Sequence, residues 1–373
     1  MNREEYAPQP AAQRSDIWFE WTVPPAHPAV GRTLGDVLRR QGISLRLLRR
    51  LKRTGGILVN GEPHQTDYLC QAGDHLQLVG GPSLESEAAT GAGGRPRVRP
   101  ELATSVATPA PPVEPEPLPL RILYEDAWLL AVDKPAGQLT HPVRHERHGT
   151  VANAVAYHWL HQAAGNAAGA GPVPGYIPIH PVQRLDRQTS GVLLFARNPL
   201  VHQRMQQVQA EGKLHKEYLA IVELPLYAAT SAAPSAGIID WPLAPVPGQN
   251  QNRRRQVVNG KGGLPPGRPA LTRYRCLQRI AAPTRLPRAL LQVEPETGRT
   301  HQIRLHLAAC GWPIVGDPLY GTGQPAPRMA LHAWRLVFRH PFTGQWVELE
   351  ASLPADLQAL LAPQGLPIVP PIH

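Results

Sequence analysis

The feature that most constrains this fold is a long stretch, residues 81–117, made largely of glycine, alanine, proline, serine, threonine and glutamate. Such a composition buries too little apolar surface to offset the conformational entropy that folding costs, so we predict a flexible linker. The linker separates a small body, residues 16–80, from a large body, residues 118–373. Residues 1–15 are polar and rich in proline and alanine, and they predict a disordered tail.

The small body has the pattern of two helices followed by short strands. Thr33 and Ser44 each stand before leucines at helical spacing, where an N-cap residue is expected. Asn60-Gly61 predicts a tight hairpin turn, and Gly73-Asp74 predicts a second turn before an alternating strand. The predicted order is therefore helix, helix, strand, hairpin turn and strand.

The second predicted helix carries arginines on one face. Between Arg32 and Arg53 the only acid is Asp36, so like charges repel along this face unless an anion neutralises them. We predict that the face binds phosphates; a merely solvated helix face is the alternative. With the order of elements given above, residues 30–80 resemble the S4 RNA-binding domain. The residues of this arginine stripe are Arg46, Arg49, Arg50 and Arg53.

The overall composition narrows the class of protein. A net charge of +10 fits a polyanionic partner, with nucleic acid ahead of an acidic membrane surface. The three cysteines, Cys70, Cys276 and Cys310, have no paired spacing, so neither a disulfide framework nor a zinc motif is predicted. The sequence shows neither a signal peptide nor an apolar run of membrane-spanning length, and we expect a cytoplasmic protein without a membrane partner.

The stretch Arg184–Ala196 places one carboxylate, Asp186, between Arg184 and Arg187 at the entrance to an apolar strand. Nearby guanidinium groups favour the charged form of a carboxyl group, and an ionised carboxylate beside an apolar wall can act as a nucleophile. A structural Asp–Arg pair in a β-turn explains this segment equally well. Other segments must decide between the two interpretations.

Two later segments carry polar side chains in patterns that suit a functional site. Lys216 and Tyr218 lie two apart in a predicted strand and so share a face, although a tyrosine is more often part of a core. Thr300 is predicted to cap a helix whose first turn is rich in polar residues, and a helix start binds phosphate. Arg304, one turn further on, could pair with a carboxylate; the alternative is a core helix with satisfied histidines. Lys134 lies in a predicted turn where it could also meet a phosphate, although the segment around it is interpreted mainly as scaffold.

Several spaced motifs together resemble the RluA-type family of RNA pseudouridine synthases. They are the H-R-L-D-R-x-T-S-G pattern at Gln183–Gly191 with one departure, K-x-Y at Lys216 and Tyr218, T-G-R-T-H-Q-I-R-x-H-L at Thr297–Leu307, and Gly316–Gly321. The similarity covers residues 119–353. It implies an α+β fold, in which a mixed, mostly antiparallel sheet carries a central cleft and a small S4-like α/β module precedes it.

The resemblance implies a reaction that needs no cofactor and no metal. Asp186 is implied to attack a bound uridine at the anomeric carbon of its sugar, after which the freed uracil turns and rejoins through carbon. Arg304 would pair with Asp186, while Tyr218 would lie against the uracil and serve as a base. The target uridine must leave its stack to reach such a site. The implied RNA contacts are the arginine stripe, Arg184, Arg187, Lys216, Arg299, His301 and Gln302.

Gln183 departs from the family pattern, which has histidine at this position. A glutamine side chain donates and accepts hydrogen bonds but cannot carry a proton charge. We interpret the position as one that orients its neighbours, because Asp186, Tyr218 and Arg304 are all present.

The leading hypothesis is an enzyme, an isomerase that modifies uridine in structured RNA. A catalytically inactive RNA-binding or ribosome-assembly factor is the first alternative. The second is a nucleoside hydrolase, which would need another carboxyl group as an acid, and the sequence offers none with a clear role. The S4-like body favours ribosomal RNA over transfer RNA as the partner, and we expect a monomer that requires no protein partner.

Overall fold

The computed structural model describes residues 17–80, 113–166, 179–225, 235–246, 255–257, 267–280, 287–323 and 326–361. The predicted tail and residues 81–112 of the predicted linker lie outside the described residues. The described helices are α1 (Leu34–Arg40), α2 (Leu45–Arg53), α3 (Val151–Asn166), α4 (Pro199–Ala210), α5 (Gln302–Ala309) and α6 (Ala355–Leu361). The described strands are β1 (Ile17–Thr22), β2 (Ile57–Val59), β3 (Glu62–Pro63), β4 (His75–Val79), β5 (Ile122–Glu125), β6 (Leu129–Lys134), β7 (His180–Pro181), β8 (Ser190–Ala196), β9 (Leu214–Glu223), β10 (Ala236–Asp240), β11 (Leu243–Pro245), β12 (Arg255–Val257), β13 (Leu271–Ile280), β14 (Arg288–Pro295), β15 (Leu331–Arg339) and β16 (Trp346–Glu350).

The small body consists of α1, α2 and an antiparallel sheet in the order β1-β4-β2-β3. The side chains of Thr33 and Ser44 accept hydrogen bonds from backbone N–H groups in the first turns of α1 and α2, which confirms both predicted caps. Asn60 and Gly61 have φ angles of 54° and 88°, the left-handed conformation that the predicted hairpin turn requires. The likeness of this body to the S4 domain stays a prediction.

The large body is built on one ten-stranded sheet whose main path runs β10-β13-β14-β9-β15-β8-β6-β5. β16 pairs with β15, and β7 pairs with β8, beside this path. Among the named strands of this sheet, only β8 and β15 run parallel. The prediction of a mixed, mostly antiparallel sheet is therefore confirmed.

β8 and β15 meet over a short seam at the centre of the sheet. The paired residues of the seam are Ser190 with His332 and Gly191 with Ala333. Gly191 has a φ of 110°, and a Cβ atom at this position would lie 2.1 Å from the Ala333 carbonyl oxygen, so only glycine permits the approach. Ala333 also pairs with Tyr218 on β9. The seam thus brings β8 and β9, the strands that carry two of the predicted motifs, to either side of β15.

Separate apolar clusters lie on the two sides of the seam. α3 packs on β6 and β8 in one cluster, while α5 and α6 pack on β9 and β14 in another. The buried face of α4 packs through Val201 and Met205 against β8 and β15. Because each half of the sheet has its own core, the groups that project at the seam are held from both sides.

Residues 113–117, which were predicted to belong to the linker, are part of the large body. Val113 is buried in the cluster around α3, the Asn153 Nδ2 atom donates to the Glu114 carbonyl at 2.7 Å, and the Glu116 N–H donates to the Asn153 carbonyl at 3.1 Å. The composition of residues 113–117 is that of the linker, and one valine in such a segment gives no sequence signal that it is buried.

The described residues offer neither a membrane span nor a metal cluster. None of their helices combines the length and apolar character needed to cross a bilayer. Nor do they bring together three or more His, Cys, Asp or Glu side chains that could hold a metal ion. The three cysteines are free thiols.

Candidate active site

Asp186 lies in the loop between β7 and β8, immediately before the seam, with 32% of its side chain exposed. The backbone on either side of it is fixed. The Thr140 hydroxyl donates to the Leu185 carbonyl at 3.2 Å and accepts from the Leu185 N–H at 3.3 Å. The Thr189 N–H donates to the Asp186 carbonyl at 3.0 Å. The carboxylate therefore projects toward solvent from a rigid turn.

Lys134, at the end of β6, holds the other side of this turn. Its side chain is fully buried, and Nζ donates to the carbonyls of Pro135 at 2.8 Å and Arg187 at 3.1 Å. Burial lowers the pKa of Lys134 to about 7, against the opposing attraction of Asp186. The alternative that Lys134 meets a phosphate does not hold, because the ammonium group is enclosed and bound to backbone carbonyls; the structural role that the sequence favoured is the one observed.

Arg304 in α5 reaches Asp186 from the opposite half of the sheet. Its Nη1 atom donates to Asp186 Oδ2 at 2.9 Å, as predicted for the pair. Its Nε and Nη2 atoms donate to the two carboxylate oxygens of Asp317 at 2.7 and 2.8 Å. With 6% of its side chain exposed, Arg304 cannot turn away from either acid. The guanidinium group is thus fixed before any substrate arrives.

Asp317 is the residue that anchors Arg304, and its side chain is fully buried. Burial alone would raise the pKa of Asp317, but the bonds from Arg304 and from the N–H groups of Leu319 and Tyr320 hold it below the ordinary value. Burial likewise opposes the charge of Arg304, and the two carboxylates nevertheless raise its pKa. The three groups form one buried charge network with Asp186 at its exposed end.

His301 stands beside this network at the start of α5. Its Nε2 atom is 3.9 Å from Asp186 Oδ2, and its Nδ1 atom is 3.1 Å from the Tyr320 hydroxyl. Tyr320 also lies under the Arg304 guanidinium, 5.2 Å from the ring centre. His301 itself is the N-cap residue, in the left-handed conformation with φ 58° and ψ 22°. The prediction that Thr300 caps α5 is therefore wrong.

Gln302 closes the turn that Thr300 was expected to cap. Its Oε1 atom accepts from the Thr297 hydroxyl at 2.7 Å and from the Arg299 N–H at 3.0 Å. Its Nε2 atom donates to the Leu271 carbonyl at 2.9 Å and to the Thr272 hydroxyl at 3.0 Å. Because the side chain is 3% exposed and these contacts use its amide fully, it does not fit the predicted RNA contact. It is a residue that shapes the turn.

Tyr218 and Lys216 project from β9 beside the seam. Burial, with a smaller contribution from the Asp186 carboxylate, raises the pKa of Tyr218, so its hydroxyl stays protonated at neutral pH. Lys216 Nζ donates to Gln209 Oε1 at 3.0 Å, and burial lowers the pKa of Lys216 to about 8. Both side chains line a small cavity, together with Gln183, Val192, Glu217, Ala333, Arg335 and Leu336.

Gln183 takes part in this cavity from the β7–β8 loop. Its Nε2 atom makes a long hydrogen bond of 3.4 Å to the Val192 carbonyl. Its Oε1 atom is buried and has no hydrogen-bond partner among the described residues. A side chain held in this way can orient its neighbours, and its effect on activity stays a prediction.

The remaining predicted RNA contacts lie at the surface. Arg184, Arg187 and Arg299 are exposed; Arg187 pairs with Glu146, and Arg299 Nε donates to the Pro269 carbonyl at 3.1 Å. The arginine stripe belongs to the small body, where Arg46, Arg49 and Arg53 are exposed and Arg50 is half-buried. The structure therefore gathers Asp186, Arg304, Tyr218 and His301 into one site and leaves the other cations around it.

Sequence reasoning missed several residues of the site. Asp317 stands inside the Gly316–Gly321 motif, but a buried acid bound to Arg304 has no spacing signal of its own. Lys134 was interpreted mainly as scaffold, but its support of the Asp186 turn has no sequence signal, because its burial depends on packing across β6 and β8. Thr140 carried no signal. Tyr320 stands in the same motif as Asp317 and was given no role, since its contact with Arg304 depends on the fold.

A family model described as RNA pseudouridylate synthase matches residues 128–309. The chain is 36% identical to ribosomal large subunit pseudouridine synthase D of Nitrosomonas europaea over 66% of its own length and 65% of that protein. Its identity to the protein of the same name from Zymomonas mobilis is also 36%, over 66% of this chain and 73% of the relative. It is 32% identical to the uncharacterized RNA pseudouridine synthase YjbO of Bacillus subtilis, over 88% of this chain and 98% of that protein.

These similarities coincide with the geometry described above. The matched residues 128–309 contain Asp186, Tyr218 and Arg304, which the structure brings together at the seam. The similarity to the Bacillus subtilis protein extends over 331 residues, which is more than the large body contains, so it also includes part of the chain before the large body. The chain belongs to the RluA-type family of RNA pseudouridine synthases, isomerases that act on uridine in RNA.

Proposed function

We propose that this chain converts uridine to pseudouridine in ribosomal RNA, with Asp186 as the nucleophile. The observation that carries the proposal is the arrangement of Asp186, exposed to solvent, on a guanidinium group that Asp317 fixes from behind. Two of the relatives named above are called ribosomal large subunit pseudouridine synthases, which supports ribosomal RNA as the substrate. The net charge of +10 suits binding to ribosomal RNA and to transfer RNA equally, so it does not distinguish the two substrates.

The proposed reaction balances without any added group. A carboxylate oxygen of Asp186 forms a bond to C1′ of the ribose, and the bond from C1′ to N1 of uracil breaks, leaving its electron pair on the base. The uracil turns so that C5 faces C1′. C5 then bonds to C1′ as the carboxylate leaves, a base removes the proton from C5, and N1 takes up a proton, so that the product is an isomer of uridine. Arg304 holds the carboxylate in one orientation during both displacements.

Tyr218 is proposed to form the wall against which the uracil turns. Its raised pKa disfavours the phenolate, so the hydroxyl acts as a base only if the reaction first removes the negative charge of Asp186. Formation of the ester between Asp186 and the ribose does remove that charge. Burial remains the larger cause of the raised pKa, so we favour the packing role over the role of base.

The structure supports the isomerase over the nucleoside hydrolase considered from the sequence. A retaining hydrolase needs a second carboxyl group that faces the substrate as an acid. The second carboxylate nearest to Arg304 is Asp317, whose side chain is fully buried and bound to Arg304 and two backbone N–H groups. It is in no position to protonate a leaving group.

Replacement of Asp186 by Asn tests the nucleophile. Wild-type protein incubated with ribosomal RNA should form pseudouridine, detected by carbodiimide labelling and primer extension, without any change in RNA mass. Asp186→Asn should form none while binding the same RNA, because the amide keeps the shape but not the charge. Asp240→Asn, which alters an exposed carboxylate on β10, is the matched control and should keep full activity.

Each alternative predicts a different result. Release of free uracil by the wild type would support the hydrolase. RNA binding with no pseudouridine in any RNA tested would support the inactive RNA-binding factor. Pseudouridine maps of total RNA with and without the protein then identify the substrate, and a new site confined to transfer RNA would overturn the ribosomal assignment.

A further inference from the structure

The small body is docked on the large body through helix α4. Leu200, near the start of α4, is 1% exposed and belongs to the apolar core of the small body. Gln203 Oε1 accepts from the Ser44 N–H at 3.1 Å, and Gln203 Nε2 donates to the Gly42 carbonyl at 2.5 Å. The Arg204 guanidinium donates to the Gln41 carbonyl. These contacts bind the turn between α1 and α2.

Helix α4 packs against both bodies, through different side chains. Val201 and Met205 bury one face of α4 in the core of the large body, whereas Leu200 and Gln203 serve the small body. The acceptors on the small body are carbonyls at the C-terminal end of α1, which have no partner within that helix. The docking therefore satisfies backbone groups that an isolated small body would leave to water.

In the docked position α4 stands between the small body and the segment that leads from β7 to Asp186, because the Gln206 Nε2 atom of α4 donates to the Val182 carbonyl at 2.9 Å. Arg50 lies close enough to His180, on β7, to disfavour its protonation. The ring of His180 lies near that of His202 in α4, with ring centres 5.8 Å apart, and His141 is also close enough to lower the pKa of His180. Arg184, which is two residues from Asp186 in the chain, in turn lowers the pKa of His141. Neighbouring side chains therefore lead from the small body to the loop that carries Asp186.

The three histidines between Arg50 and Arg184, which are His180, His202 and His141, all have lowered pKa values, so the positive charge in this region resides on the arginines. Burial, with contributions from His202 and Arg50, lowers the pKa of His180 to about 3. Burial is also the main cause of the lowered pKa of His141. At neutral pH the arginine stripe, in which Arg46, Arg49 and Arg53 are exposed, and the exposed Arg184 carry positive charge on either side of these histidines.

We propose that the contact between α4 and the α1–α2 turn fixes the small body so that the arginine stripe and Arg184 form one RNA-binding surface ending at Asp186. The ligand is the RNA segment that flanks the target uridine, so the inference rests on the proposed function. A fixed surface binds with less loss of freedom than two bodies joined by a flexible tether. The stripe should then contribute to affinity only while the small body is docked.

Leu200→Asp tests the docking. The new carboxylate cannot enter the apolar core of the small body, but it suits the first turn of α4 in water, so the small body is released while both bodies stay folded. Gln207→Asp adds the same charge at an exposed position of the same helix and is the matched control. We expect Leu200→Asp to weaken binding of ribosomal RNA about tenfold, by loss of the fixed geometry, and Gln207→Asp to leave it unchanged.

Steady-state kinetics separate docking from chemistry. For Leu200→Asp the change should fall on KM, with kcat at saturating RNA altered less than about twofold, because the groups around Asp186 do not touch Leu200. Combining Leu200→Asp with alanine at all four stripe residues should weaken binding no further than Leu200→Asp alone. Full additivity of the two changes would overturn the inference, since the stripe would then act independently of docking.

Gln203→Ala provides a second test that does not depend on a buried charge. The Ser44 amide donates to Gln203, so hydrogen exchange at Ser44 should become faster in this variant and in Leu200→Asp, but not in Gln207→Asp. Unchanged exchange at Ser44 in Gln203→Ala would show that the bodies are not docked in solution. The binding measurements and the hydrogen-exchange measurements do not require activity. They therefore remain informative about docking even if the wild type forms no pseudouridine.

Discussion

The two bodies use arginine in opposite ways. In the large body Arg304 is 6% exposed and donates hydrogen bonds to two carboxylates, so its position is set by the protein. In the small body Arg46, Arg49 and Arg53 are exposed on a helix whose sequence contains no acid. A fixed guanidinium can stabilise charge without reorganisation during a reaction, whereas exposed ones contribute salt-dependent affinity. The comparison teaches which charges should affect chemistry and which should affect binding.

The largest effect should come from Arg304→Lys. Lysine keeps the charge but cannot donate to Asp186 and to both oxygens of Asp317 in one plane. We expect kcat to fall about 100-fold or more, as for the loss of a preorganised donor. The free energy of unfolding should fall by about 2 kcal/mol or more, since a buried pair is disrupted. Single-turnover kinetics and urea denaturation measure the two effects.

Arg328→Lys is the control for Arg304→Lys. Arg328 is 9% exposed and also donates to both oxygens of one acid, Asp356, but that acid is 40% exposed, whereas Asp317 is fully buried. We expect a loss of at most about 1 kcal/mol and unchanged kcat. Equal effects of the two substitutions would show that the burial of Asp317 and the bond from Arg304 to Asp186 have no special role.

Gly191→Ala should have the next largest effect, because it disrupts the close contact between β8 and β15 at the seam and leaves the charged groups unchanged. The added methyl group would lie 2.1 Å from the Ala333 carbonyl oxygen, and φ is 110°. We expect a loss of at least about 2 kcal/mol in unfolding free energy, from overpacking and backbone strain together. Gly298→Ala, where the methyl group meets open space, should be close to neutral in thermal denaturation. A stable and active Gly191→Ala would mean that the seam can widen freely.

Lys134 gives a pH dependence that belongs to the large body alone. Its pKa is about 7 when folded and near 10.5 when unfolded, so the unfolded chain binds more protons between these values. The free energy of unfolding should therefore rise with pH across this window through Lys134, and Lys134→Met should remove that contribution. Lys213→Met, at an exposed lysine, is the control. The measurement is the difference between wild-type and variant urea stability at several pH values; a difference that does not change with pH would contradict the burial of the charge.

The smallest effect on folding, and none on kcat, should come from alanine at all four residues of the arginine stripe. RNA affinity should fall about tenfold, and the slope of log affinity against log salt should decrease by roughly 0.7–0.9 for each phosphate that the protein no longer neutralises. Arg32 and Arg40 are already paired with Asp36, so alanine at these two positions should change the slope less. An unchanged slope in the stripe variant would show that the stripe is only a solvated helix face.

The sequence was sufficient where a local pattern determines the result. Thr33 and Ser44 cap their helices because a hydroxyl before a helix start can reach the free N–H groups within one turn. The Asp186–Arg304 pair was predicted from the family resemblance that the two motifs carry, and the structure contains it. The mostly antiparallel sheet was predicted from the family resemblance that the motifs carry, and the strand pairing confirms it.

The sequence was insufficient where burial depends on distant partners. Gln302 has the same polar appearance as a surface glutamine, and only its bonds to Leu271 and Thr272 remove it from solvent. Thr300 does not have the predicted capping role because His301 adopts the left-handed conformation, which no pattern around it indicates. Leu200 was unremarkable as a helical leucine, although it belongs to the core of the other body.

The seam also has a consequence for biosynthesis. The bond between Asp186 and Arg304 spans 118 residues, and that between Ser190 and His332 spans 142. Contacts so far apart in sequence close long loops and form after local structure. On a ribosome, Asp186 would emerge well before Arg304 and before β15, which completes the sheet beside β8. We therefore expect nascent chains to form no pseudouridine until β15 has emerged.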